Sequence, residues 1–178
     1  LMLFWSSKED KLTSLQEYVD RMPESQEKIY YVCADSVEHA AKMPQAERVL
    51  KAGYEVLYLT VDEDEIVLQM LENAGGKPFV SVADENALPV TEEEKANVEQ
   101  AEKDHKDVLD FAQETLKDQV AKVRLSKILQ SGSVCLTAEG PVSLEMEKYF
   151  RKMRRDFPMH AQRVLEINPE SGAFQALC

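Results

Sequence analysis

The side chains best equipped for chemistry are carboxylates, and they gather in two runs, from Asp62 to Glu65 and from Glu92 to Glu94. Paired acids at such spacing could share a proton or hold a cation. Proton transfer needs a pocket that drives two carboxyl pKa values apart, and an unbroken acidic run does not enclose one. The Asp62 to Glu65 run also lacks the ligand spacing of a calcium loop. His39, His105 and His160 fall on three separate elements, and Cys33, Cys135 and Cys178 are odd in number, far apart and without a C-x-x-C pair. That pattern gives no zinc site and no nucleophile beside a base in sequence, and it suits a reducing cytosol. His105 reads as a packed core histidine, and Cys33 and Cys135 as small buried hydrophobes within strands.

Phosphate chemistry is disfavoured at the two turns where a strand feeds a helix. The first is "CADSVE" and the second "TVDEDE", so Asp35, Glu38, Asp62, Glu63, Asp64 and Glu65 stand where glycines would have to cradle an anion. These acids act as caps and dipole partners.

A different chemistry, that of contact, is written in "SLEMEKYFRKMRR", residues 143 to 155. At about 100° per residue, Val142, Met146, Tyr149, Phe150, Met153 and Phe157 share one stripe, with Leu144, Lys148, Arg151 and Arg155 opposite. Two readings stand: a face buried in the core, or an exposed surface whose methionines and aromatics adapt to varied partners. Lys148, Arg151, Lys152, Arg154 and Arg155 make a positive patch, read either as salt bridges to a preceding acidic helix or as a nucleic-acid contact.

The elements that must position these groups follow from pattern. "KIYYVCA" (28 to 34), "YEVLYLT" (54 to 60) and "KPFVSVA" (77 to 83) are strand-like runs, separated by helical stretches broken at Pro44, Gly53 and Gly75-Gly76. This predicts an α/β fold: a small three-layer αβα unit on a three-stranded parallel sheet, with right-handed crossovers. Before it, a helix begins at Thr13 or Ser14 and ends at Pro23. After a linker, Thr91 and Glu94 form a capping box, and one long helix runs to about Asp118 with Val98, Ala101, His105, Val108, Leu109, Ala112 and Leu116 on one face. Residues 84 to 118 hold 12 acidic and 4 basic side chains, which marks the opposite face as solvated. "QVAKVRLSKIL" and "GSVCLTAEG" read as strands joined by a turn, and "QRVLEINP" as a third, giving an α+β unit with a mainly antiparallel three-stranded sheet. The expected organisation is a helical end of a preceding region (1 to 27), the αβα unit (28 to 85), a linker (86 to 93) and the second unit (94 to 178).

Composition bounds the partners. A net charge of −12 and a pI near 4.8 repel nucleic acid and anionic lipid over most of the surface. No apolar run approaches the roughly 20 residues of a membrane span. A first residue that is leucine and an end inside the apolar run "FQALC" read as an excised fragment.

From about Ser6 to the last residue, the stretches "SLQEYVDRMPESQEKIYYV", "KAGYEVLYLT", "AGGKPFVSV", "VAKVRLSKIL" and "RVLEINP" resemble the ninety-kilodalton heat-shock protein family, its bacterial branch most of all. The resemblance implies a cytoplasmic, dimeric, ATP-dependent chaperone that assists folding under stress, of which this chain is the end of the middle domain plus the first part of the C-terminal domain. ATP and Mg²⁺ would bind in an upstream domain, and the helices of the dimer interface would follow downstream. By that resemblance this stretch is no enzyme and holds no cofactor or metal. Its partners are partly folded client proteins, without nucleic acid or membrane, and its acidic surroundings favour basic or mixed clients. The family's client surface would fall here on Met146, Tyr149, Phe150 and Met153, and on Glu65, Ile66 and Gln69, where bacterial members often carry tryptophan in place of Ile66. The other functional reading is a small α/β nucleotide-binding or enzymatic module with an interaction appendage.

Overall fold

The computed structural model describes residues 2–61, 63–84, 86–153 and 160–178. Asp62, Glu85, Arg154, Arg155 and Phe157, which enter the readings above, lie outside the described residues. The chain divides into two compact units, Leu1–Ala87 and Leu88–Cys178.

In the first unit, β1 (Leu3–Ser6) and β2 (Lys11–Ser14) form an antiparallel hairpin that leads into α1 (Leu15–Arg21). The Ser14 hydroxyl accepts from the Glu17 amide while the Glu17 carboxylate accepts from the Ser14 amide, which fixes the start of α1. Strand β3 (Ile29–Cys33) follows, then α2 (Val37–Ala40) and α3 (Pro44–Lys51), β4 (Val56–Leu59), α4 (Asp64–Leu71), the two-residue β5 (Asn73–Ala74) and β6 (Lys77–Ser81). Pro44 takes the first position of α3, where its missing N–H costs nothing, and Gly53 (φ +83°) supplies the left-handed residue just after the helix.

The sheet order is β2-β1-β4-β3-β6-β5, and β3 is parallel to both β4 and β6. The predicted parallel trio is therefore present, but it is the centre of a six-stranded mixed sheet. The hairpin was not expected: residues 1 to 27 read as the helical end of a preceding region, because two four-residue strands give too few alternations to register. A local device makes the hairpin. The Ser6 hydroxyl, buried in the turn, accepts from the amides of Lys8 and Glu9, and Asp10 adopts φ 51° to close it.

Nearly every residue of β3 and β4 is buried, as central parallel strands require. Tyr18 of α1 and Leu68 of α4 pack with Phe4, Ile29, Tyr31, Leu57 and Leu59, and both α2 and α3 contact β4. Tyr18 is fully enclosed; its hydroxyl donates to the Glu55 carbonyl (2.6 Å) and accepts from Gln26 (3.0 Å) and the Tyr30 amide (3.3 Å). Burial pushes its phenol pKa up to about 12, so it remains a neutral structural donor.

The second unit opens with α5 (Glu92–Asp104), capped reciprocally by Thr91 and Glu94 as expected, and α6 (Lys106–Leu116). The single long helix of the sequence reading is interrupted at His105, whose backbone (φ −117°, ψ 30°) leaves the helical range. The His105 ring meets Phe174 edge-on at 5.3 Å, and that contact supplies a packing reason for the break. There follow β7 (Lys122–Leu125), β8 (Val134–Glu139), α7 (Leu144–Met153), β9 (Gln162–Ile167) and α8 (Gly172–Gln175). The sheet order is β7-β9-β8, parallel between β7 and β9 and antiparallel between β8 and β9. The expected pairing of β7 with β8 is thus replaced: β9 inserts between them, and the sheet is mixed rather than mainly antiparallel. Burial explains the choice, because β9 alone carries Val164, Glu166 and Ile167, all buried, and belongs at the centre.

Candidate binding surface

Helix α7 begins after a turn at Gly140 (φ +87°) and Pro141, with the Ser143 hydroxyl accepting from the Met146 amide at 3.0 Å. Acids Glu145 and Glu147 lie in its first turn, and Arg151 and Lys152 in its last, in accord with the helix dipole.

Its most buried charged residue is Glu147, only 4% exposed. One carboxylate oxygen accepts from Arg151 (2.7 Å) and lies 3.2 Å from His160 Nδ1, and the other accepts from Arg163 of β9 (2.6 Å). Burial opposes ionisation of this carboxyl, but the hydrogen bonds from His160 and Arg163 outweigh it and hold its pKa below the ordinary carboxylate value. The helix is therefore tied to β9 through charge on one flank.

The apolar stripe occupies intermediate ground. Val142 is buried, Met146, Tyr149 and Phe150 are half-buried, and Met153 is 68% exposed. Tyr149 and Phe150 contact each other edge-on at 5.6 Å, so the aromatic part of the stripe is ordered against itself. Neither simple reading fits the whole stripe: its first residue anchors, and exposure grows toward the C-terminal end of the helix.

The second predicted group lies in the other unit, on α4, and its members separate. Glu65 is only 5% exposed, and the Tyr31 hydroxyl donates to its carboxylate at 3.3 Å. This corrects its assignment as a surface contact, because the helix turns Glu65 and Leu68 inward together. Ile66 is half-buried and Gln69 exposed. Met70 (79% exposed) and Leu71 are also open to solvent. Apolar residues occur on more than one side of this short helix, so spacing alone could not choose the inward side; the tyrosine partner that stabilises Glu65 lies 34 residues away.

Among the described residues no group of three or more His, Cys, Asp or Glu side chains is arranged to hold a metal ion, and no helix is long and apolar enough to cross a membrane. None of the three cysteines is in a disulfide: Cys33 is half-buried, Cys135 buried and Cys178 exposed. Burial pushes the Cys135 thiol up to about 12, which leaves it an unreactive core group.

The sequence profile of the Hsp90 protein family matches residues 1–178, the whole chain. The chain belongs to the Hsp90 family. It is 45% identical over 177 residues to a protein from Bacillus subtilis (strain 168) named chaperone protein HtpG, an overlap of 99% of this chain and 28% of that relative. Proteins of the same name from Clostridium botulinum (strain Langeland) and Natranaerobius thermophilus are 43% and 42% identical over the same shares. The chain thus spans little more than a quarter of the length of these Hsp90 relatives.

Proposed function

We propose that this chain is the client-binding scaffold of a bacterial Hsp90-type chaperone, with α7 as its principal contact element. The observation that carries this reading is the division of labour on that helix. Glu147 and its cations hold one flank to β9, so Met146, Tyr149, Phe150 and Met153 need not all be consumed in packing. A modest exposed apolar surface binds partly folded chains at about 25 cal/mol per Å² buried, with little selectivity and no covalent step. Ile66, Gln69, Met70 and Leu71 on α4 form a second apolar-polar patch of the same character.

In this reading ATP and Mg²⁺ are bound by another part of the parent chaperone, which works as a homodimer in the cytoplasm, and this stretch is not itself an enzyme. The acidic turns at the starts of α2 and α4 support the assignment of nucleotide binding elsewhere. Addition of ATP and Mg²⁺ should leave the unfolding temperature of this chain unchanged, whereas a ligand at 100 times its Kd would stabilise by about 2.7 kcal/mol.

The decisive variant is Met146→Ser/Phe150→Ser/Met153→Ser. It should bind an unfolded test protein several-fold more weakly while its thermal stability changes little. A large loss of stability with unchanged binding would assign the stripe to the core and remove α7 from the client surface.

A further inference from the structure

The flank of α7 opposite the apolar stripe borders a groove of about 240 Å³ lined by Leu144, Glu147, Lys148, Arg151 and Lys152, together with Arg163 of β9. Among the described residues four cations and one acid line it, on a chain whose net charge is −12. Glu147 does not close the groove. Its buried carboxylate orients Arg151 and Arg163 through contacts of 2.7 and 2.6 Å, and one such contact leaves a guanidinium, with its five N–H donors, able to bond further. The Arg151 side chain is 64% exposed.

We propose that this groove receives an acidic segment of polypeptide. Asp or Glu carboxylates would engage Lys148, Arg151, Lys152 and Arg163, and a neighbouring apolar side chain would rest on Leu144 and the lysine stems. A nucleic acid fits less well, because it needs cations along an extended track, and beyond this short groove its phosphates would meet a strongly acidic chain. The inference rests on the client-binding reading and sharpens it. Although the overall charge favours basic clients, α7 selects segments in which acidic and apolar residues adjoin, one kind for each flank of the helix.

A fluorescent ten-residue peptide alternating leucine with aspartate and glutamate tests this against an amide twin carrying asparagine and glutamine. The acidic peptide should bind this chain about tenfold more tightly than its twin at low salt, and about 0.5 M salt should erase most of the advantage. Lys148→Gln/Lys152→Gln should weaken the acidic peptide roughly three- to tenfold and leave the twin unchanged. Equal binding of the twins, indifference to the double variant, or displacement of the peptide by a single-stranded oligonucleotide would overturn the proposal. If the acidic peptide fails while the serine triple variant still loses its unfolded test protein, only the groove assignment falls. The reverse pattern keeps the groove and removes the apolar stripe.

Discussion

Helices α4 and α7 both turn a glutamate inward and leave methionine outside, yet they are fastened by different physics. In α4 the fully buried Leu68 joins the apolar core of the first sheet, and Glu65 meets the neutral hydroxyl of Tyr31. In α7 the inward Glu147 is surrounded by Arg151, Arg163 and His160. Apolar packing is insensitive to salt and mild acid, whereas an ion-pair anchor weakens with both. A helix held by charge can keep its oily flank available, which suits a contact element, and the difference can be broken one helix at a time.

The largest effect should come from Leu68→Ala. Removing a fully buried leucine side chain costs about 2–5 kcal/mol, read as a lower urea midpoint for the first unit, with little dependence on ionic strength. Glu147→Gln should cost less, about 1–3 kcal/mol, because Arg151 and Arg163 can recover water when their partner loses its charge. Its signature is pH. The folded-state pKa of Glu147 lies below the ordinary value of 4.5, so its contribution is complete above that value and fades as pH falls through the folded-state pKa. Wild type and Glu147→Gln should therefore converge in stability in acid and diverge near neutrality; a gap that does not change with pH would deny the ion-pair anchor. The smallest effects belong to Met70→Ser and Met153→Ser, each within about 0.5 kcal/mol by thermal unfolding, since both side chains already face solvent.

Sequence reading and structure agree where one physical signal dominates. Strands β3, β4 and β6 were legible because β-branched and aromatic residues fill both faces, and the box at Thr91-Glu94 marked a helix start by chemistry that acts over three residues. Agreement fails where long-range partners decide. The position of β9 between β7 and β8 depends on which strand can be buried on both sides, and no local turn encodes that. Glu65, read as a cap and as part of a contact surface, and Glu147, given no role by the sequence, are each inward because a partner 34 or 16 residues distant satisfies its carboxylate. The candidate surface was accordingly legible as a stripe, with Met146, Tyr149, Phe150 and Met153 correctly grouped on one helix, while the groove beside it required the coordinates of Arg163.

Methionine methyl NMR tests the central claim most directly, because the described methionines sample surface and packed sites alike. On addition of an unfolded test protein, the Met146 and Met153 methyl signals should shift or broaden, while Met22, packed against the first unit's core, should not. Unperturbed Met146 and Met153 signals under conditions where the test protein is demonstrably bound would contradict the assignment of α7 as the contact element.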